Sequence, residues 1–145
     1  MKSFNIIPVS LFSLYCDYLC NWSEGHLCRA TIEYINLTCS DYAIGYAAHD
    51  ETGPVSISIA SKTFPFAAIA TRPDKRGQGL AKKVLKQTIN HFRLAGLVYE
   101  TWVAADNPSS IVLLESVGLR KVREETKNRR STGEYLAFKY SSKNT

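Results

Sequence analysis

Two glycines set in a basic turn constrain this chain more than any other feature. They lie in Thr71-Arg72-Pro73-Asp74-Lys75-Arg76-Gly77-Gln78-Gly79-Leu80-Ala81, between a short apolar run and a long amphipathic stretch. The run Phe66-Ala67-Ala68-Ile69-Ala70 is bounded by Pro65 and Pro73 and is too short for a packed helix, so it predicts a buried strand. After the turn, Leu80, Ala81, Val84, Leu85, Thr88, Ile89 and Phe92 recur at helical spacing, with Lys82, Lys83, Lys86, Gln87 and Asn90 between them. Arg93 and Gly96 supply the basic last turn and the left-handed stop that such a helix favours. Its N-terminus therefore falls at 77–80, where orphan N–H groups and the helix dipole make a site for an anion. Glycine at that place lets a diphosphate approach the backbone where a β-carbon would block it.

The glycine spacing separates the phosphate-binding classes. A Walker loop ends in Gly-Lys-Ser or Gly-Lys-Thr and a dinucleotide fingerprint reads G-x-G-x-x-G; the chain has neither. Arg76-Gly77-Gln78-Gly79-Leu80-Ala81 fits R-x-x-G-x-[GA] and so resembles the coenzyme A pyrophosphate motif of the GCN5-related N-acetyltransferases. A second segment, Asn107-Pro108-Ser109-Ser110 and the following Ile111 to Leu119, is similar to that family's N-x-x-[AS] segment, in which an Asn follows the fifth strand and a short helix ends at Gly. Local physics agrees. Asp106 or Asn107 can cap, Pro108 suits the first helical position, Ile111, Leu114 and Val117 form a stripe, and Gly118 is a stop signal. Between the motifs, residues 97–104 are rich in β-branched and aromatic side chains and predict a strand.

The resemblance extends over roughly residues 42–140 and implies an α/β acyl-CoA N-acyltransferase fold. That fold is a mixed central sheet of about six or seven strands flanked by about four helices. It would form a single domain with a short atypical N-terminal region. The versions T-x-P-x-x-R-G-x-G-L-A and N-P-x-S look most like the FR47 and glycine N-acyltransferase-like branch. On this division residues 1–40 contribute to the acceptor groove, 41–140 form the acetyltransferase core and 141–145 are a frayed tail.

Elsewhere the pattern predicts a first strand at 4–9 and a helix at 10–22 with Leu11, Leu14, Tyr15 and Tyr18 inward. Strands at 42–49 and 55–60 are joined by the hairpin turn Asp50-Glu51-Thr52-Gly53. Strands at 119–124 and 134–140 flank a polar loop at 125–133. A length of 145 residues suffices for one sizeable core. The formal charge of +5 is unevenly spread: residues 1–60 hold 2 Lys/Arg against 6 Asp/Glu, residues 61–145 hold 16 against 7. A basic half around the turn suits a polyanionic cosubstrate such as acetyl-CoA. Lys127, Arg129 and Arg130 lack the interleaved aromatics that stack bases, so nucleic acid is a poor expectation, and no apolar run is long enough to span a bilayer.

Cys16, Cys20, Cys28 and Cys39 contain no C-x-x-C and have only His26 nearby, which is no metal pattern. Asn21-Trp22-Ser23 and Asn36-Leu37-Thr38 have the form of glycosylation sequons. The apolar patch after Met1-Lys2 is nevertheless broken by Pro8, Ser10 and Ser13, and no small-residue cleavage site follows. The expectation is therefore a cytoplasmic chain with reduced thiols.

The resemblance implies direct attack of an amine on the thioester of an acyl-CoA. It assigns Ile69, Ala70 and Thr71 to the pantetheine and thioester, and Arg76, Gly77, Gln78, Gly79, Leu80 and Ala81 to the diphosphate. Asn107 and Ser110 would meet the pantetheine arm, Asn107 having helix capping as its plain alternative. Where relatives often carry a tyrosine that protonates the leaving thiolate, this chain has Leu114. The strand before the turn has no carboxylate, so Glu100 becomes the candidate base, read as mid-strand, with His49 and Asp50 behind it; a paired surface carboxylate is the alternative. The rival function is a coenzyme A-binding module without catalysis.

Overall fold

A computed structural model describes residues 4–9, 15–23, 43–63, 65–130 and 133–143. In chain order the elements are β1 (Asn5–Pro8), α1 (Cys16–Trp22), β2 (Ala43–Asp50), β3 (Gly53–Ser61), β4 (Ala67–Thr71), a 3₁₀ turn (Pro73–Lys75), α2 (Leu80–Leu94), β5 (Glu100–Ala104), α3 (Pro108–Ser116), β6 (Arg120–Arg130) and β7 (Gly133–Ser141). The strands form two sheets, ordered β1-β2-β3-β4 and β5-β7-β6, and every hydrogen-bonded pair is antiparallel. β4 and β5 lie in contact at the boundary but share no ladder.

Alternation along the strands separates two layers. Ala47, Ile57, Ile59, Ala68 and Ala70 turn to one face of the first sheet, where Cys16, Leu19 and Trp22 of α1 cover them. On the other side α2 buries Leu80, Val84, Leu85, Thr88 and Phe92, the apolar stripe predicted from spacing. Leu85 and Phe92 join Tyr99, Val103, Leu114, Leu119 and Tyr140, so α2, α3 and the second sheet share one core. α2 closes as expected: Leu97 N–H donates to Phe92 C=O at 2.8 Å across Gly96, whose φ is +72°.

Gly45 of β2 is required by close approach. A β-carbon there would stand 2.7 Å from Ile59 Cγ1 and 2.8 Å from the Ser58 carbonyl oxygen, and the latter is backbone that cannot swing aside. Gly45→Ala should therefore lower stability by about 1 kcal/mol or more through forced strand separation. A denaturant midpoint equal to wild type would contradict this.

Several expectations are corrected. Tyr18 points outward at 40% exposure, and the buried face of α1 is Cys16, Leu19 and Trp22; Leu11 and Leu14 lie outside the described residues. The predicted loop at 125–133 is mostly strand, because β6 continues to Arg130 and pairs with Gly133, with one register shift between Lys121 and Glu125. Lys127 therefore sits on a sheet edge. Ser141 is not frayed: it is buried in β7 opposite Glu100, and Ser142 both donates its N–H to Tyr99 C=O and accepts from Tyr99 N–H, each at 2.9 Å.

Candidate functional site

The turn after β4 is shaped for an anion. Gly77 and Gly79 have φ of +79° and +75°, and Gly79 is the N-cap of α2 with its carbonyl accepting from Lys83 N–H. Left-handed residues at the N-cap tip successive N–H groups outward in front of the helix dipole. An added β-carbon at either glycine meets nothing within 4 Å. Glycine is thus demanded by the backbone conformation, not by crowding within the chain, which refines the sequence argument.

The side chain of Arg76 braces the turn. Its Nε donates to Thr71 C=O at 3.2 Å and its Nη2 to Trp22 C=O at 2.8 Å, tying the cradle to β4 and to the end of α1. Lys75, next in line, has a largely buried side chain with Nζ 3.4 Å from Asp50 Oδ2. Thr52 donates both its hydroxyl (2.5 Å) and its N–H (2.7 Å) to Asp50 Oδ1. Those two bonds, then Lys75, hold the Asp50 carboxyl down at about 2 against the cost of desolvation. Asp50 is therefore a paired carboxylate beside the cradle, not a base. His49 Nε2 lies 3.3 Å from the Tyr15 hydroxyl, whose ionisation burial and then Tyr18 push upward.

Backbone polarity shows what faces the gap between the sheets. Phe66 C=O bonds to Ser61 N–H and Arg72 N–H to Val55 C=O, so these even-numbered residues point at β3. Alternation then directs Ala68 and Ala70 to β3 as well, and turns the N–H and C=O of Ile69 and Thr71 toward the open edge of β4. Of the three predicted contacts on this strand, Ala70 is thus committed to the sheet. Across the gap, Tyr99 C=O and Ala105 N–H bond toward β7, which leaves Glu100, Trp102 and Ala104 with backbone groups toward β4. The outward direction of the Trp102 and Ala104 backbone groups was not readable from the sequence, since the direction in which a strand's carbonyls point leaves no mark on composition.

Asn107 caps α3. Its Oδ1 accepts from Ser110 N–H at 3.3 Å and from the Ser109 hydroxyl at 3.2 Å, so the capping role is realised and only the amide nitrogen is left to meet a ligand. Glu100 is the first residue of β5, not a mid-strand group, and is ion-paired with Lys139 Nζ at 3.0 Å. Its neighbour Tyr99 stacks edge-on against Phe92 at 5.5 Å. Phe92 lies twelve residues beyond Leu80 on α2, so Glu100 stands about 18 Å along that helix from the cradle. Leu114 is buried in the core at 2% exposure.

A split sheet with an open β4 edge, leading through a left-handed glycine turn into a helix, defines an acyl-CoA N-acyltransferase-type domain. The chain belongs to the GCN5-related N-acetyltransferase superfamily, and residues 58–129 match the FR47-like protein family. No curated protein matches it significantly by sequence. Among solved structures it is similar to the ribosomal-protein-S18-alanine N-acetyltransferase of Escherichia coli, at 18% identity and a TM-score of 0.75, over 96% of this chain and 92% of that one. The spermidine N-acetyltransferase of Vibrio cholerae aligns at 11% identity and a TM-score of 0.68, over 95% and 92%. The yncA protein of Salmonella typhimurium, solved with its cofactor acetyl-CoA, aligns at 14% identity and a TM-score of 0.68, over 97% and 93%. At these identities the likeness is one of fold. No helix among the described residues is long and apolar enough to cross a membrane.

Proposed function

We propose that the chain transfers an acyl group, acetyl in the first instance, from acyl-CoA to a primary amine by direct attack. The observation that carries this is the continuity of the open β4 edge with the glycine cradle. One strand offers the N–H and C=O groups of Ile69 and the N–H of Thr71 to the pantetheine and thioester, and the turn that follows it offers N–H groups to the diphosphate. The amine nitrogen attacks the thioester carbon, and the oxygen that gains charge accepts from an N–H on the β4 edge. Such a preorganised donor contributes about 3–4 kcal/mol to the transition state. The C–S bond then breaks, the thiolate takes a proton from water and the amine nitrogen loses one to water. Asn107 and Ser110 lie at the start of α3, the next element after β5, and the amide nitrogen of Asn107 would bond the pantetheine arm.

The ion pair of Glu100 with Lys139 gives no support to its part as a base. Glu100→Gln is expected to keep turnover within about twofold of wild type, since loss of a true general base costs about a hundredfold or more. An amine panel with acetyl-CoA and thiol detection tests both points. Thiol release that depends on an amine supports transfer; coenzyme A binding with no release under any amine favours the binding-module reading, and a hundredfold loss in Glu100→Gln restores that residue as the base.

A further inference from the structure

Trp102 stands on β5 beside the open edge of β4, outside the core. Val103 packs into the core shared with α2 and α3, so alternation turns the Trp102 side chain to the opposite face of the second sheet. That face lies on the α1 side of the molecule: on β4, Ala67 and Ile69 join the shared core, whereas Ala68 and Ala70 lie under α1. The indole is half-buried yet belongs to none of the apolar clusters of the described residues. Its N–H donates to no group among those residues. Opposite it in the β5–β7 ladder is Lys139, whose Nζ lies 5.8 Å from the ring centroid and 3.0 Å from Glu100 Oε2.

An acyl-CoA laid along the β4 edge has the packed core of Phe92, Val103 and Leu114 behind it, so an amine reaches the thioester from the other face, past Trp102. The chemistry of that wall is selective. An indole offers a broad, rigid apolar area and binds flat groups well. A second ammonium on the acceptor would share the ring with Lys139 and meet like charge. A carboxylate on the acceptor would find Lys139 already paired with Glu100. Resting on the reading of this gap as the acyl-CoA site, we infer that Trp102 is a specificity-determining residue: its indole receives an uncharged apolar or aromatic substituent of the acceptor, a primary amine of the kind of 2-phenylethylamine and not a polyamine or an amino acid.

The test measures amine-dependent thiol release by the full chain at saturating acetyl-CoA, with 2-phenylethylamine, ethylamine and spermidine as acceptors. Wild type should show its highest kcat/KM on 2-phenylethylamine. Trp102→Ala should lower the ratio of kcat/KM for 2-phenylethylamine to that for ethylamine by about tenfold, through KM and not kcat, and Trp102→Phe should bring the ratio back to within about threefold of wild type. Calorimetric titration of 2-phenylethylamine into the coenzyme A complex should show the same tenfold loss in Trp102→Ala. Should that variant fail to fold, Trp102→Thr, whose β-branched side chain suits a strand, should show the same shift. A ratio unchanged from wild type, as when a structural loss lowers both amines together, overturns the inference, and so does a wild type that favours spermidine. Failure of the underlying reading looks different: 2-phenylethylamine would bind in a Trp102-dependent way and release no thiol.

Discussion

Gly79→Ala is expected to weaken coenzyme A binding by about tenfold to a hundredfold, or about 1.4–2.7 kcal/mol. At φ +75° an alanine costs about 1–2 kcal/mol, so the turn either keeps its shape under strain or escapes to a negative φ. Escape rotates the peptide on each side of residue 79 and disperses the N–H groups proposed to hold the diphosphate. Nothing stands within 4 Å of the added carbon, so no clash in the free protein complicates the result. Gly96 supplies a matched control. It has φ +72°, equally open surroundings, and lies at the opposite end of the same helix. Gly96→Ala should lose similar stability in a thermal melt and retain wild-type affinity by calorimetry. Full affinity in Gly79→Ala, or equal loss in both variants, would sink the assignment.

That comparison is available because the glycine turn was legible in the sequence. The turn, α2 and the capping of α3 by Asn107 are set by neighbours a few residues apart, through glycine dihedrals, helical spacing and a cap. Features set by distant partners were not legible. β6 beyond Glu124 is too polar to announce a strand, and becomes one because β7 pairs with it along an outer edge. Glu100 and Lys139 are brought together only by the β5–β7 register, and Asp50 and Lys75 only by two turns meeting. In α1 the error was one of phase: a start placed at residue 10 put Tyr18 on the inward face, where Leu19 belongs. The acceptor groove was expected from residues 1–40, of which 24–40 lie outside those described.

Leu114→Tyr is expected to cost about 3 kcal/mol of stability and to bring no gain in turnover. A phenol at this position looks like restoration of the acid that relatives often carry, but Leu114 is packed against the core shared by Leu85, Phe92, Tyr99, Val103, Leu119 and Tyr140. A ring there overfills a closed space, and its hydroxyl needs a partner that this cluster does not offer. Tyr99 already shows the difficulty: it is fully buried, its hydroxyl has no hydrogen-bond partner among the described residues, and burial pushes its ionisation far above the ordinary phenol range. The Leu114 carbonyl also accepts from Leu119 N–H at 3.1 Å to close α3 across Gly118, so repacking would disturb the helix end as well. Leu114→Met, which conserves volume, should cost less than about 1.5 kcal/mol and keep turnover. Chemical denaturation and amine-dependent thiol release measured on both variants check the argument. A Leu114→Tyr protein as stable as wild type and faster in transfer would show that the side chain reaches the cleft, and that an acid at this position serves the leaving thiolate after all.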